Sequence, residues 1–532
     1  MPATVTVRDA VFGFLRDVGI TTIFGNPGST ELRFLRDWPS DITYVTALHE
    51  GAVVAMADGY AQIARNAAFV NLHSAGGLGN AMGTIFSAFR NQTPLVITAG
   101  QQTRALMPDM PFLFAEDATT MPRPYVKWSC EPARGEDVPA AIARAYVLAM
   151  QRPFGPTFVS VPEDDWDRPV AALAARRVYG DYTADPTALD ALATEIAAAK
   201  NLAIVAGPGV DRDGASDALV ALAERLGAPV WVSPFSSRCS FPERHPRFAG
   251  FLPPVRAAIA RTLATHDVVL VLGAPIFTYH VFTPEPAFAP GTRVLHVVDD
   301  PAIAAAAPIG TCVVATTRGV LEALAQRLPQ AHAETAPART LAASPVQTPK
   351  QNEPLTPAFV LDTIARALPA DAIVVEEAPT HRSPMHDHFP MEPGAFFAAA
   401  SGSLGWGLPA AIGAKLAAPQ RRVLALIGDG SSMYAIQALW TATTYKIPVT
   451  FVILDNRAYA AMDEFSRYLG YENAPSFALP NLDFVHAAHA FGVRGFRVET
   501  AADLEPALHD AFASDASVLV AIKVEAPANR IY

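Results

Sequence analysis

Short apolar runs alternate along the chain with longer stretches whose apolar positions recur every three or four residues, and Gly, Pro, Asn and Ser punctuate the joins. Val423-Leu424-Ala425-Leu426-Ile427 and Val449-Thr450-Phe451-Val452-Ile453-Leu454 read as buried strands. Between them the spacing predicts a helix from Ser432 to Tyr445, with Ile436, Leu439 and Trp440 on one face. The same alternation predicts a strand over Ile42–Leu48, a helix over Gly51–Ala64 and a strand over Ala67–Leu72. Further on, strands are expected at Leu202–Ala206, Val230–Val232, Val268–Leu272 and Arg293–Val298. Strand–helix–strand units of this size make parallel sheets, and ligands bind beyond the carboxyl ends of such strands.

The pattern predicts an α/β protein of three doubly wound parallel-sheet domains. Residues 1–175 form the first, 186–328 a Rossmann-like middle domain, and 358–532 the last. The polar stretch Arg176 to Asp185 is one linker, and residues 329–357, rich in Ala, Pro, Thr and Gln, are the second.

Composition narrows the class. A chain of 532 residues, 51% hydrophobic and 17% charged, has the profile of a large core-rich enzyme. A net charge of −11 argues against a general nucleic-acid binder. Cys130, Cys239 and Cys312 are too few and too scattered for a disulfide framework or a zinc cluster. No signal peptide or long uncharged apolar stretch is recognisable, so a cytoplasmic protein with no membrane partner is expected.

Asp429 and Asn456 concentrate the chemistry. Each follows one of two neighbouring strands, so both oxygen-bearing side chains arrive at one ligand-binding edge. An Asp carboxylate, an Asn amide oxygen and a backbone carbonyl suit Mg²⁺. Gly428 and Gly430 flank Asp429 and let a diphosphate approach the backbone. Upstream, His49-Glu50 stands at a strand-to-helix junction, where a carboxylate ordinarily interacts with the helix dipole. His73 follows the strand Ala67–Leu72 beside a glycine-rich loop, and Ser29 closes the turn Gly25-Asn26-Pro27-Gly28-Ser29. Gly207-Pro208-Gly209 hints at a dinucleotide turn but lacks the third glycine, so a tight structural turn is the better reading.

Gly428-Asp429-Gly430 with Asn456 in register resembles the signature of the thiamine-diphosphate enzymes, and Glu50-Gly51-Ala52 with Ala57-Asp58-Gly59-Tyr60-Ala61 matches the same family. Phe24-Gly25-Asn26-Pro27-Gly28-Ser29, Asn71-Leu72-His73-Ser74-Ala75, Thr98-Ala99-Gly100-Gln101-Gln102-Thr103-Arg104 and Leu408-Pro409-Ala410-Ala411-Ile412-Gly413 resemble its benzoylformate decarboxylase branch. The resemblance implies pyrimidine-binding, middle and diphosphate-binding domains, thiamine diphosphate with Mg²⁺ (or Ca²⁺), and decarboxylation of an aryl 2-keto acid to an aldehyde and CO₂. Carboligation to a 2-hydroxy ketone is a further implied activity, and a homotetramer with sites at a dimer interface the implied assembly.

Residue by residue, the resemblance makes Glu50, Ser29, His73 and His280 catalytic, with Glu50 activating the aminopyrimidine. It makes Thr380, Gly402, Leu404, Gly428, Gly430, Ser431 and Tyr459 cofactor contacts, and Asp429, Asn456 and the Ala458 carbonyl metal ligands. Phe112, Leu113, Ala398, Ala461, Met462 and Phe465 would line the substrate pocket. Ala398 stands where the resembled branch has a phenylalanine, Pro379 replaces a hydroxyl residue, Ser403 a glycine, and Arg457 a small residue. These departures bear on which keto acid is used, so another 2-keto acid is the alternative substrate. The chain lacks the adjacent His-His pair of pyruvate decarboxylases and the Gly-Pro-Gly turn of acetohydroxyacid synthases. The tail from Glu525 offers only Arg530 to a coenzyme A phosphate. A non-catalytic binding subunit, the reading from another class, would not need Glu50 and Asp429 together.

Overall fold

The computed structural model describes residues 4–176, 178, 180–329, 346–350, 353–471 and 474–525. Most of the expected second linker, and Arg530, lie outside them. The chain divides into two compact units, the first Met1–Gly180 with Thr348–Thr380 and Ala399–Ala528, the second Asp181–Gln347 with His381–Ala398.

Three parallel sheets carry the architecture, as the alternation predicted. In the first unit one sheet runs in the order Thr43–Thr46, Thr22–Gly25, Ala68–Leu72, Leu95–Gln101, Pro156–Pro162, Ser129–Cys130. The chain order reverses between Thr22–Gly25 and Ala68–Leu72, so the connections leaving these two strands diverge and open a crevice. The other sheet of this unit contains Ile373–Glu377, Val423–Gly428, Thr450–Asp455, Val518–Lys523 and Arg494–Val498, side by side and all parallel. Thr4–Thr6 and Pro169–Ala171 form a separate small antiparallel pair.

Helix Glu50–Ala64 is Ala-, Val- and Gly-rich and buried along nearly its whole length. It lies against helix Gly407–Ala417, equally buried. Glycines make this contact possible: a Cβ on Gly59 would sit 2.1 Å from the Ala410 carbonyl oxygen, and one on Gly413 would sit 1.9 Å from that of Met56. Neither obstacle is a side chain that can swing away.

The second unit holds the third sheet, in the order Phe248–Phe251, Val230–Val232, Leu202–Ala206, Val268–Leu272, Arg293–Val298, Thr311–Val314. The sequence pattern predicted its four inner strands. The two edge strands alternate buried with more exposed residues and lack a continuous apolar run, which is why the pattern missed them. Gly207 and Gly209 pack against Gly273 and Ala274, with Gly209 N donating to the Gly273 carbonyl at 2.9 Å. The turn is therefore filled by protein, as the structural reading of Gly207-Pro208-Gly209 expected. Segment His381–Ala398 is tied in by a buried pair, His386 Nδ1 to Glu243 at 3.1 Å, with Met391 N donating to the same carboxylate at 3.0 Å.

The helix predicted over Ser432–Tyr445 is broken. Asp429–Ser432 forms one turn and Ala438–Thr444 a separate helix. The Ser432 hydroxyl takes the Asp429 carbonyl at 2.7 Å, and the next amides close tighter turns, Tyr434 N to Ser431 O and Ala435 N to Ser432 O.

Gly413→Ala should destabilise the protein by at least about 1–3 kcal/mol, because backbone must move to admit one methyl. Gly13, in helix Val7–Asp17 with open space at its Cβ, is the control. Gly13→Ala should raise the thermal midpoint while Gly413→Ala lowers it, as read by calorimetry.

Candidate active site

The crevice of the first sheet collects three of the expected catalytic residues. Glu50 is the first residue of its helix, is 8% exposed, and accepts from Asn80 Nδ2 at 3.0 Å. Its neighbour His49 caps the helix by accepting from Gly51 N, which leaves the Glu50 carboxylate unused by the helix end. Ser29 is exposed and opens the short turn Ser29–Glu31 after strand Thr22–Gly25.

His73 precedes helix Ser74–Asn91, and its Nδ1 lies 2.8 Å from Glu31 Oε2. Glu31 is buried and also accepts from Gly28 N, Gly100 N and the Thr30 hydroxyl. The hydrogen bond to Glu31 raises the His73 pKa from its ordinary value, burial opposing and the Glu31 and Glu50 charges assisting. The donor–acceptor pair also fixes Nδ1 as the protonated nitrogen in the neutral ring, so Nε2 is the atom left for proton transfer. Sequence reasoning missed Glu31. The signal was Gly28-Ser29-Thr30-Glu31, whose spacing lets the Glu carboxylate return to the amide three residues earlier.

At the second sheet, Thr380, Asp429 and Asn456 follow the carboxyl ends of adjacent strands. Asp429 is 4% exposed; its Oδ1 accepts from Gly430 N at 2.7 Å, and its Oδ2 is buried with no hydrogen-bond partner. Burial pushes its carboxyl up to about 6, against the amides of Gly430, Arg457 and Ala458. Those amides place the Asn456 loop beside Asp429. Asn456 Oδ1 accepts from Ala458 N at 3.0 Å, and the loop is pinned by Tyr459 N to Phe477 O and Leu479 N to Arg457 O. Arg457 has φ +60, a left-handed conformation that explains why a small residue is expected there. The Tyr459 ring covers Gly430, where a Cβ would be 2.4 Å away. Ser431 is buried; Leu404 is half-buried; Gly402 is exposed with φ +71.

The expected pocket residues are scattered in exposure. Phe112 is 87% exposed and Met462 48%, while Leu113, Ala461 and Phe465 are half-buried. Ser74 Oγ donates to the Leu113 carbonyl at 2.7 Å, so Leu113 is tied beside His73. In the second unit Ala398 is fully buried, its N–H donating to Ser237 O, and His280 is exposed near the Phe235 ring. Burial lowers the His280 pKa.

The match to known proteins covers both sheets and the middle unit. Residues 5–117 match the N-terminal thiamine pyrophosphate binding domain, 189–324 the central domain and 380–522 the C-terminal thiamine pyrophosphate binding domain. The chain is 43% identical to benzoylformate decarboxylase of Pseudomonas aeruginosa over 98% of its own length and 99% of the relative's. It belongs to the thiamine-diphosphate-dependent 2-keto acid decarboxylase family. Solved structures agree. A thiamine diphosphate-dependent 4-hydroxybenzoylformate decarboxylase of Rhodococcus jostii superposes with a TM-score of 0.94 at 42% identity, covering 98% of this chain and all (100%) of that one. Benzoylformate decarboxylase of Polynucleobacter necessarius gives 0.95 at 38% identity, covering 98% and 99%.

As a member of this family the protein uses thiamine diphosphate with a divalent metal, and the chain fits both groups. The orphaned Asp429 Oδ2 is a buried anionic acceptor with nothing to accept from, the situation a cation resolves. Asp429, Asn456 and the Ala458 carbonyl would hold Mg²⁺ or Ca²⁺, with Gly428, Gly430, Ser431, Tyr459, Thr380, Gly402 and Leu404 around the cofactor.

Two outcomes follow. Asp429→Ala removes an unsatisfied buried oxygen, so the thermal midpoint of the apoprotein should hold or rise. The added stability given by Mg²⁺ and thiamine diphosphate, about 2.7 kcal/mol at a hundredfold excess over Kd, should vanish in thermal-shift titrations. Glu31→Gln should return the His73 pKa toward about 6.5, read by NMR. A raised folded-state pKa stabilises fully below the unfolded value and ceases to do so as pH climbs through the folded one. Wild type should therefore lose this contribution as pH rises past the ordinary histidine value of about 6.5 and through the raised folded one, and Glu31→Gln should show no such loss.

Proposed function

We propose that the protein decarboxylates an aryl 2-keto acid of the benzoylformate type, without oxidation, to the aldehyde and CO₂. The observation that carries the substrate class is near full-length similarity to decarboxylases of benzoylformate and 4-hydroxybenzoylformate. The apolar set Phe112, Leu113, Ala461, Met462 and Phe465 supports it, since an aryl ring needs an apolar wall. The domain division that goes with this reading is 1–175, 186–328 and 358–532.

Bound thiamine diphosphate supplies the electron sink that a departing carboxylate requires. Glu50 holds a carboxylate at a buried helix start, positioned to hydrogen-bond the aminopyrimidine. Ser29 presents an exposed hydroxyl for the substrate carboxylate. His73, kept basic and oriented by Glu31, moves a proton at Nε2. His280 assists at a later proton transfer or at product release. Carboligation with a second aldehyde is the accompanying activity we assign to the same site.

We also propose a homotetramer with each site shared between two copies, in the cytoplasm. Apolar side chains exposed beside both half-sites support it: Met110 and Phe112 near His73, Met433, Tyr434 and Met462 near Asp429. Among the described residues no helix is long and apolar enough to cross a membrane.

Incubation with thiamine diphosphate, Mg²⁺ and a panel of 2-keto acids, scored for CO₂ and aldehyde, tests the substrate. Benzoylformate or a ring-substituted analogue should give the highest kcat/KM. A preference for pyruvate over every aryl keto acid overturns the aryl assignment. Glu50→Gln should keep the cofactor bound and lower turnover by orders of magnitude. Near-normal turnover would show that Glu50 is only a helix-terminal charge.

A further inference from the structure

Two buried carboxylates in the first unit have no part in the chemistry assigned above. Glu377 ends strand Ile373–Glu377 and is 4% exposed; Asp58 lies midway along helix Glu50–Ala64 and is 0% exposed. Neither forms an ion pair among the described residues, and every donor that reaches them is neutral. Glu377 Oε1 accepts from Gly405 N at 2.7 Å and Trp406 N at 3.4 Å, and Oε2 from Gly407 N at 2.7 Å. Asp58 accepts from Trp406 Nε1 at 2.7 Å, Thr93 Oγ1 at 2.6 Å, Gln62 Nε2 at 2.7 Å and Asn91 Nδ2 at 2.9 Å. Burial raises both carboxyls, that of Glu377 to about 8, and the hydrogen bonds oppose it; N–H donors on both Glu377 oxygens favour the ionised form.

All of this converges on one segment. Asn91, itself held by Asp58, accepts from Ala400 N at 2.8 Å, and Ser87 meets Ser401 at 2.9 Å between hydroxyl oxygens. Between these anchors and the helix start at Gly407 lie Gly402 and Gly405, with φ +71 and +96. A stretch with two left-handed glycines has little conformational preference of its own, so its shape must be imposed from outside. Buried charge is costly when neutral or apolar groups could fill the same space. Here it provides acceptors on both oxygens, a pattern that a glutamine or asparagine cannot reproduce because one of its faces is a donor.

We propose that Glu377 and Asp58 are positioning residues for the cofactor: they hold residues 400–407 in the cofactor-receiving shape before the cofactor arrives. The inference rests on the reading that Gly402, Leu404 and Thr380 contact thiamine diphosphate. Glu377 sits where it couples two of those contacts, being followed by Thr380 and bonded to the backbone just past Leu404. The carboxylates touch no reacting atom; they act through the loop, and the organisation they impose lowers the ordering cost of binding.

Hydrogen exchange on the wild-type apoprotein is the first test. The amides of Gly405 and Gly407 should already be protected, comparably to helix Gly407–Ala417, and adding thiamine diphosphate with Mg²⁺ should change them little. Exchange at open-chain rates until cofactor is added overturns the proposal, and this reading needs no variant to fold. The second test uses Glu377→Gln and Asp58→Asn. The Kd for thiamine diphosphate at saturating Mg²⁺, by calorimetry, should rise about tenfold or more, equivalent to about 1.4 kcal/mol. At saturating cofactor, kcat should stay within a few-fold of wild type, and Glu377→Asp should recover part of the affinity. Unchanged affinity in both variants, with Asp429→Ala weakened, overturns the inference alone. Unchanged affinity in all three overturns the site reading and the inference with it.

Discussion

The close approach of helix Glu50–Ala64 to helix Gly407–Ala417 is the constraint on which the first unit depends. With Gly59 against the Ala410 carbonyl and Gly413 against the Met56 carbonyl, backbone meets backbone and no side chain cushions the contact. Distance and rotation are therefore set tightly. The helix that begins with Glu50 also carries Asp58, which receives the Trp406 indole one residue before the second helix begins. Thr46, ending strand Thr43–Thr46, is engaged from the other half as well: its N–H donates to the Tyr445 hydroxyl and its carbonyl accepts from Thr441. Two halves far apart in sequence thus behave as one body.

The two half-sites solve different electrostatic problems. Around His73 the protein supplies its own partner, Glu31, and leaves a basic, oriented ring. Around Asp429 it withholds one, and Oδ2 is left buried without a hydrogen-bond partner. The first arrangement orients a ring and raises its pKa; the second leaves an anionic acceptor open. Both follow from what surrounds the residue rather than from the residue type.

Much of this was legible in the sequence. Parallel sheets, the strand-end positions of Asp429, Asn456 and His73, and the tight middle turn at Gly207 followed from apolar runs and their punctuation. What escaped was set by tertiary contacts. Ser432 breaks its predicted helix through one side-chain bond to the Asp429 carbonyl. Glu31 stood in no recognised motif, and its role shows only once strand Ala68–Leu72 places His73 against it. Asp58 and Glu377 carry no periodic signal, because a buried carboxylate is recognised only by the donors around it. Ala398, read as space for a larger substrate, is fully buried.

Segment His381–Ala398 belongs to the second unit, and the chain returns to the first at Ala399. Its His386 is sandwiched near the rings of Phe251 and Phe396 and paired with Glu243 inside that unit. The second unit is consequently not a contiguous cassette. A chimaera that swaps only the stretch between the two linkers with a relative would strand one half of a buried pair on each parent. Recombination keeps that pair together only if both pieces travel together, and inheritance of the middle of this protein is tied to a short passage of its far end.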